Sequence, residues 1–149
     1  MGTTQIDAQR TIGEIQSFLV RAGAIQVLTS YDSKTHEPTG LCFTLDVKGM
    51  TFPFKLPARI DPIFKILNNS RSYNREAYAK EDMDQAKRVG WRQLYRWIQA
   101  QVALIETGMV AASEVFYPYL QVSPEQTVYE RAITDGLERL ALPETTEVV

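Results

Sequence analysis

Residues 41–56, LCFTLDVKGMTFPFKL, contain the strongest structural signal in the chain. Apolar and polar side chains alternate in two runs, and Lys48-Gly49 between them suits a two-residue hairpin turn. A turn at this point places apolar side chains opposite one another at every second position. The four pairs are Val47 with Met50, Leu45 with Phe52, Phe43 with Phe54, and Leu41 with Leu56. Because a slip of one residue would move every apolar side chain to the other face, the sequence predicts both the hairpin and its register.

Pro53 predicts where this hairpin lies in a larger sheet. Its missing N–H would point away from the partner strand, so the strand that contains it belongs at an edge. Residues 24–31, AIQVLTSY, then form a third strand on the other side of residues 41–47, with Ile25, Val27 and Tyr31 on one face. Residues 32–40 are a loop by composition. The sequence therefore predicts a three-stranded antiparallel meander.

Four segments have the apolar spacing of helices. The predicted helices cover residues 12–22, 60–67, 80–117 and 124–142. The first and last follow capping boxes that begin at Thr11 and Ser123. In the short second helix, Ile66 is expected to face inward. The third carries an apolar stripe for roughly seven turns and ends before Pro118.

The predicted fold class is α+β. A single domain, residues 1–149, contains the meander, covered on one face by the long amphipathic helix, with one helix before the sheet and one at the C-terminal end. Residues 143–149 are expected to be a frayed acidic tail.

Composition restricts the classes of protein to consider. The 149 residues are 44% hydrophobic and 23% charged, as in ordinary globular domains. Cys42 is the only cysteine, so no intramolecular disulfide can form and a reducing compartment fits best. Residues 1–10 lack the basic and then apolar run of a secretory signal, and no apolar run in the sequence is long enough to span a membrane. We therefore expect a cytoplasmic protein with no membrane partner.

Charge is distributed unevenly along the chain. The net charge is −1 over residues 1–54, +5 over residues 55–97 and −6 over residues 98–149. This asymmetry predicts either an anionic partner for the basic middle third or docking of that third on the acidic end of a neighbouring subunit. A homo-oligomer is therefore expected.

Three arginines form the main candidate binding site. Arg88, Arg92 and Arg96 recur every four residues in the predicted long helix and so share one ridge. The aromatic residues interleaved with them are Trp91, Tyr95 and Trp97. Guanidinium groups for phosphate and aromatic faces for bases are the combination that binds single-stranded nucleic acid. The alternative interpretation is a solvated arginine face beside tryptophans that belong to the core.

A polar stretch, residues 68–75, contributes further candidates. It lacks apolar periodicity, which predicts an exposed, mobile loop. Arg71, Tyr73 and Arg75 in this loop could close over an anionic ligand, although a merely solvated loop fits the same residues.

The Gly-x-Ser-x-Gly elbow, the Walker loop and the Gly-x-Gly-x-x-Gly motif are absent from the sequence. His36 is the only histidine and lies in a predicted loop. Glu81, Asp82 and Asp84 are interpreted as acids of a first helical turn, favoured there by the helix dipole, rather than as metal ligands. We therefore expect no enzymatic activity, no cofactor and no metal.

Two resemblances bear on these expectations. The order helix, three antiparallel strands, helix is similar to that of double-stranded-RNA-binding domains, with His36 between the first two strands, although three acids in residues 79–84 stand where that family has lysines. The motifs Trp91-Arg92-x-Leu-x-x-Trp97-Ile98-x-Ala100-Gln101, Glu106-Thr107-Gly108-Met109 and Phe116-Tyr117-Pro118-Tyr119 resemble those of small uncharacterised bacteriophage proteins. The second likeness covers roughly the C-terminal half plus Gly49 and Leu56-Pro57, and it implies a phage setting.

Together these observations predict a non-enzymatic phage accessory protein that binds nucleic acid, single-stranded, through its basic middle third. The predicted binding residues are Arg71, Tyr73, Arg75, Arg88, Arg92 and Arg96. The alternative is a phage anti-defence protein that sequesters a host nucleotide signal or inhibits a host defence effector. A purely structural oligomer subunit is a third possibility. In each case the expected location is the host cytoplasm.

Overall fold

The computed structural model describes residues 3–144, with side chains from residue 7 onward. The first part of the chain forms α1 (Thr3–Arg21), β1 (Ala24–Tyr31), β2 (Pro38–Val47), β3 (Met50–Pro57) and α2 (Asp61–Asn69). The second part forms α3 (Ala79–Glu106), α4 (Ala112–Phe116), β4 (Gln121–Ser123), β5 (Gln126–Thr127) and α5 (Val128–Asp135). Short 3-10 turns cover Tyr117–Tyr119 and Leu137–Arg139. The predicted α+β class is confirmed.

The sheet has the predicted order β1-β2-β3, and β2 pairs with β3 in the predicted register. All four apolar pairs form, and Pro53 lies opposite Thr44. Lys48 and Gly49 have φ angles of 55° and 84°. Positive φ at both central residues is the requirement of a type I′ hairpin turn. The Asp46 carboxylate stabilises this turn by accepting a 2.9 Å hydrogen bond from the Gly49 N–H.

Strand β1 has the predicted bounds but not the predicted faces. A bulge between Ala24 and Gln26 shifts the alternation, so that Ile25 is 58% exposed while Val27 packs against the core. Tyr31 pairs with Pro38, which extends β2 three residues beyond the predicted start. The connecting loop is therefore residues 32–37, shorter than predicted.

One face of the sheet forms the core. Five of its inward side chains are at most 3% exposed. They are Leu41, Phe43, Leu45, Phe54 and Leu56. The residues that cover them are Ile12, Ile15 and Leu19 of α1, Trp91, Ile98 and Val102 of α3, and Phe116 of α4. The meander is thus covered on one face by helices, as predicted, and α1 shares this role with the long helix.

Helix α1 begins at Thr3, well before the predicted start at residue 12. Thr11 is therefore a helical residue, 4% exposed, and not an N-cap. At the other end, Arg21 forms a two-bond ion pair with Glu106, the last residue of α3, at 2.7 and 3.1 Å. The contacts of residues 7–11 with the first half of α3 and of Arg21 with its end indicate that the two helices run in the same direction.

Helix α2 lies at the predicted position and packs against α3 at Gly90, where Ile60 and Ile63 fill the space of a Cβ atom. The prediction that Ile66 faces inward was wrong, since its side chain is 72% exposed.

The predicted helix from Lys80 to Tyr117 is two helices. Helix α3 ends at Glu106, and Gly108 has a φ of 81°. The Met109 N–H bonds to the Leu104 carbonyl and the Gly108 N–H to the Ile105 carbonyl, both at 3.0 Å. This is the Schellman arrangement, which needs a left-handed residue after the C-cap. The chain then turns into α4.

The left-handed conformation of Gly108 leads to a prediction that compares this glycine with Gly13 of α1. Gly108→Ala should lower the free energy of unfolding by about 1 kcal/mol, because an L side chain disfavours the left-handed region. An added Cβ would meet no atom within 4 Å at either Gly108 or Gly13. Gly13→Ala, in the middle of α1, should therefore raise the free energy of unfolding by about 0.5–1 kcal/mol. Urea unfolding of both variants checks the opposite signs, and equal effects would contradict the Schellman geometry.

The C-terminal region also differs from its prediction. Ser123 does not cap a helix; its hydroxyl accepts a 3.1 Å hydrogen bond from the Gln126 N–H and closes the β4–β5 hairpin. The capping box lies one turn later, between Thr127 and Glu130, and opens α5. Helix α5 ends at Asp135 rather than near residue 142. The predicted frayed tail lies mostly outside the described residues.

Candidate functional site

A groove of about 450 Å³ runs between α1 and α3. Its α3 wall contains Arg88, Arg92 and Arg96, and its α1 wall contains Asp7 and Thr11. Because an α-helix rises about 1.5 Å per residue, the three arginines span about 12 Å along α3. The structure therefore brings three of the six predicted binding residues to one surface.

These arginines differ in their contacts. Arg88 donates a 2.9 Å hydrogen bond to the Gln85 side chain. The Arg92 guanidinium lies 5.1 Å from the centre of the Tyr95 ring. Within residues 3–144, neither Arg92 nor Arg96 forms an ion pair, and both side chains are exposed. Asp7 is the carboxylate that lines the groove, so the four charged side chains there sum to +2.

The aromatic residues near the ridge divide into two groups. Trp91 is 2% exposed and belongs to the core. Trp97 packs edge-on against Phe116 and Tyr119, with ring centres 6.0 and 6.2 Å apart. Both tryptophans thus pack in or against the core, as the alternative interpretation of the sequence expected. Tyr95 is partly exposed, as Trp97 is; its ring packs edge-on against Phe18 of α1, with ring centres 5.6 Å apart, and lies beside Arg92.

The loop candidates lie elsewhere. Arg71 donates two hydrogen bonds to Asp82, at 2.8 and 2.9 Å, and stacks on Tyr78 at 3.8 Å. Arg75 donates to the Arg71 carbonyl at 3.1 Å, and Tyr73 is 75% exposed. None of the three predicted loop residues lines the α1–α3 groove. The guanidinium of Arg71 already holds a carboxylate.

The Arg71–Asp82 pair shifts the acidity of both groups. Asp82 is 5% exposed and also accepts a 3.0 Å hydrogen bond from the Asn68 amide. Hydrogen bonds from Arg71 and then from Asn68 lower the pKa of Asp82 to about 2, against the opposing effect of burial. The same hydrogen bond from Arg71 to Asp82 raises the pKa of Arg71. Asp82 is therefore a structural anchor of the loop and not only a first-turn acid.

Sequence reasoning missed a second cavity, of about 870 Å³. It lies between the N-terminal half of α1, the β1–β2 loop, residues 58–62 and the N-terminal half of α3. A 2.6 Å ion pair between Lys87 and Glu37 joins the loop to α3. One signal was present in the sequence, because Lys80, Met83, Lys87 and Trp91 have the spacing of a single helix face. Nothing local showed that the β1–β2 loop would face them.

Two further observations concern the class of protein. Within residues 3–144, none of the helices combines the length and the apolar character that crossing a lipid bilayer requires. Comparison of the chain with protein-family models, with curated proteins and with solved structures found no match.

Proposed function

We propose that this protein binds single-stranded nucleic acid, with phosphates lying along the α1–α3 groove on Arg88, Arg92 and Arg96. The observation that carries the proposal is that Arg92 and Arg96 are exposed, lack ion pairs within the described residues and stand one helical turn apart in one groove. Guanidinium groups bind phosphate through paired hydrogen bonds. A net charge of +2 in the groove favours an anionic chain.

The shape of the groove favours a single strand over a duplex. Packed helices have axes about 8–10 Å apart, so the cleft between them is narrow. A flexible strand can enter such a cleft, whereas a duplex would meet only its rim. Tyr95 beside the ridge offers a ring on which a base can stack.

The nucleotide-sequestering alternative depends more on the loop residues. Arg71 is bound by Asp82, so an anionic ligand would have to displace a buried carboxylate. The groove therefore supports nucleic-acid binding better. The phage setting, the cytoplasmic location and the homo-oligomer stay predictions.

The test is fluorescence anisotropy with a labelled oligothymidylate of about 12 nucleotides. Replacement of Arg92 and Arg96 by Gln together should weaken binding about tenfold or more, because two charge-assisted phosphate contacts are lost. The slope of log affinity against log salt concentration should fall by about 1.4, since each contact with a single strand contributes about 0.7.

The matched control replaces Arg131 and Arg139 by Gln, because both are exposed and lie in the acidic C-terminal third. This variant should bind as tightly as the parent protein. Absence of binding by the parent protein at low salt would refute the proposal. An unchanged salt slope in the Arg92 and Arg96 variant would do the same.

A further inference from the structure

The 870 Å³ cavity is separate from the arginine groove. Among the residues whose side chains the structure describes, the two depressions share only Ala8 and Trp91, which stand in the wall between them. Its apolar lining includes Tyr31, Pro38, Ile60 and Met83. A volume of this size lies within the range of small-molecule sites, which are mostly apolar with a few polar groups that fix orientation.

The ion pair between Lys87 and Glu37 lies in the lining of this cavity. The side chains of Lys87 and Glu37 are 24% and 38% exposed, and their charged atoms are 2.6 Å apart. Glu37 follows His36, whose φ of 61° is uncommon for a residue other than glycine. The β1–β2 loop thus presents its carboxylate to α3 from an unusual backbone conformation.

Besides the Lys87–Glu37 pair, two cations and three carboxylates line the cavity. Lys80 and Arg59 line it and form no ion pair within residues 3–144. Asp32 accepts hydrogen bonds from the N–H groups of Lys34 and Thr35, at 2.8 and 2.9 Å. Asp61 lies in the first turn of α2, where the helix dipole offsets its charge. Asp84 is the remaining acid, so the seven charged side chains of the lining sum to −1, and the pairing of Lys87 with Glu37, rather than the net charge, indicates where an anionic group can bind.

We propose that this cavity binds a small molecule that combines an aromatic ring with one anionic group, a carboxylate or a phosphate. The ring packs among the apolar side chains, and the anionic group takes the place of the Glu37 carboxylate on Lys87. Glu37 acts as a resident carboxylate that keeps Lys87 paired in the absence of ligand. This site does not depend on the arginine groove, and either proposal can fail without the other.

Isothermal titration calorimetry tests the site with two ring-bearing anions, adenosine 5′-monophosphate and 4-hydroxybenzoate. At least one of them should bind with a stoichiometry of one. Adenosine and inorganic phosphate, each of which lacks one half of the proposed chemistry, should bind at least about tenfold more weakly. Binding of the first anion would identify a nucleotide site, and binding of the second alone an aromatic-acid site. Absence of binding by both overturns the proposal.

Two charge substitutions should act in opposite directions on the ligand that binds. Lys87→Gln should weaken binding about tenfold, because it removes the charge that holds the anion. Glu37→Gln should tighten binding about threefold, because the ligand no longer competes with a resident carboxylate. Lys65→Gln and Glu125→Gln are the matched controls, since both side chains are exposed and lie outside the cavity.

The opposite signs separate a binding role from a structural one. If the ion pair only fixes the β1–β2 loop, both substitutions should weaken binding equally, and that result overturns the proposal. Binding that is lost with Arg92 and Arg96 replaced by Gln would place the ligand in the groove instead and overturn it as well. Thermal unfolding of each variant shows whether a loss of binding reflects a loss of folded protein.

Discussion

Phe116→Ala is expected to lower the free energy of unfolding by about 3–5 kcal/mol. The Phe116 side chain is fully buried, and its ring meets Phe43 of the central strand edge-on at 5.1 Å. Trp97 packs against its other side at 6.0 Å. Removing the ring leaves a cavity between the sheet and α3 that the surrounding residues can fill only in part.

Tyr117→Ala is the matched control, because the next side chain in the sequence is an aromatic ring that is 57% exposed. It should change the free energy of unfolding by less than about 1 kcal/mol. Urea unfolding followed by far-ultraviolet circular dichroism measures both variants. Equal losses for the two would show that Phe116 does not hold α4 on the sheet.

The β2–β3 hairpin could be predicted from sequence because the residues that determine its register are close together in the chain. Four apolar pairs and one turn lie within 16 residues, and a slip of one residue would expose all of them. The bulge after Ala24 could not be predicted in this way. An alternating pattern does not record an extra residue, which only the pairing with β2 reveals.

The break after α3 shows the limit of periodicity. Apolar residues keep helical spacing from Trp91 to Phe116, since both helices bury residues in the same core. Gly108 was the residue from which the break could have been predicted, because glycine most readily takes the left-handed position of a Schellman motif. A periodic stripe with an internal glycine is therefore compatible with two helices as well as one.

The candidate site also divides into features that local sequence spacing predicts and contacts between distant segments that it does not. The arginine ridge follows from four-residue spacing on one helix, and the structure places its three members in one groove. The pairs Arg71–Asp82 and Lys87–Glu37 join different segments, and no local pattern marks them. They decide which cations are available to a ligand, so the sequence could propose candidate cations but could not say which were already paired.

Asp82→Asn should produce the second large effect, a fall of about 5–10 °C in the thermal midpoint at neutral pH. The substitution removes the charge that Arg71 grips with two hydrogen bonds. It also places an amide where donors from Arg71 and Asn68 require an acceptor. The loss should free residues 70–78 from α3, which hydrogen exchange would detect. Glu81→Gln is the control, because Glu81 is 70% exposed and its contact with Arg71 is 3.4 Å long.

The effect of this substitution should depend on pH in a defined direction. The pKa of Asp82 is about 2 in the folded protein, below the value of about 3.9 expected in the unfolded chain. Between these two pKa values, the Asp82 carboxylate takes up a proton when the protein unfolds. The carboxylate therefore stabilises the fold fully above about pH 4 and loses this effect as the pH falls towards 2. The difference in thermal midpoint between the parent protein and Asp82→Asn should shrink over that interval. A difference that stays constant from pH 7 to about pH 2.5 would show that Asp82 stabilises the loop by its shape rather than by its charge.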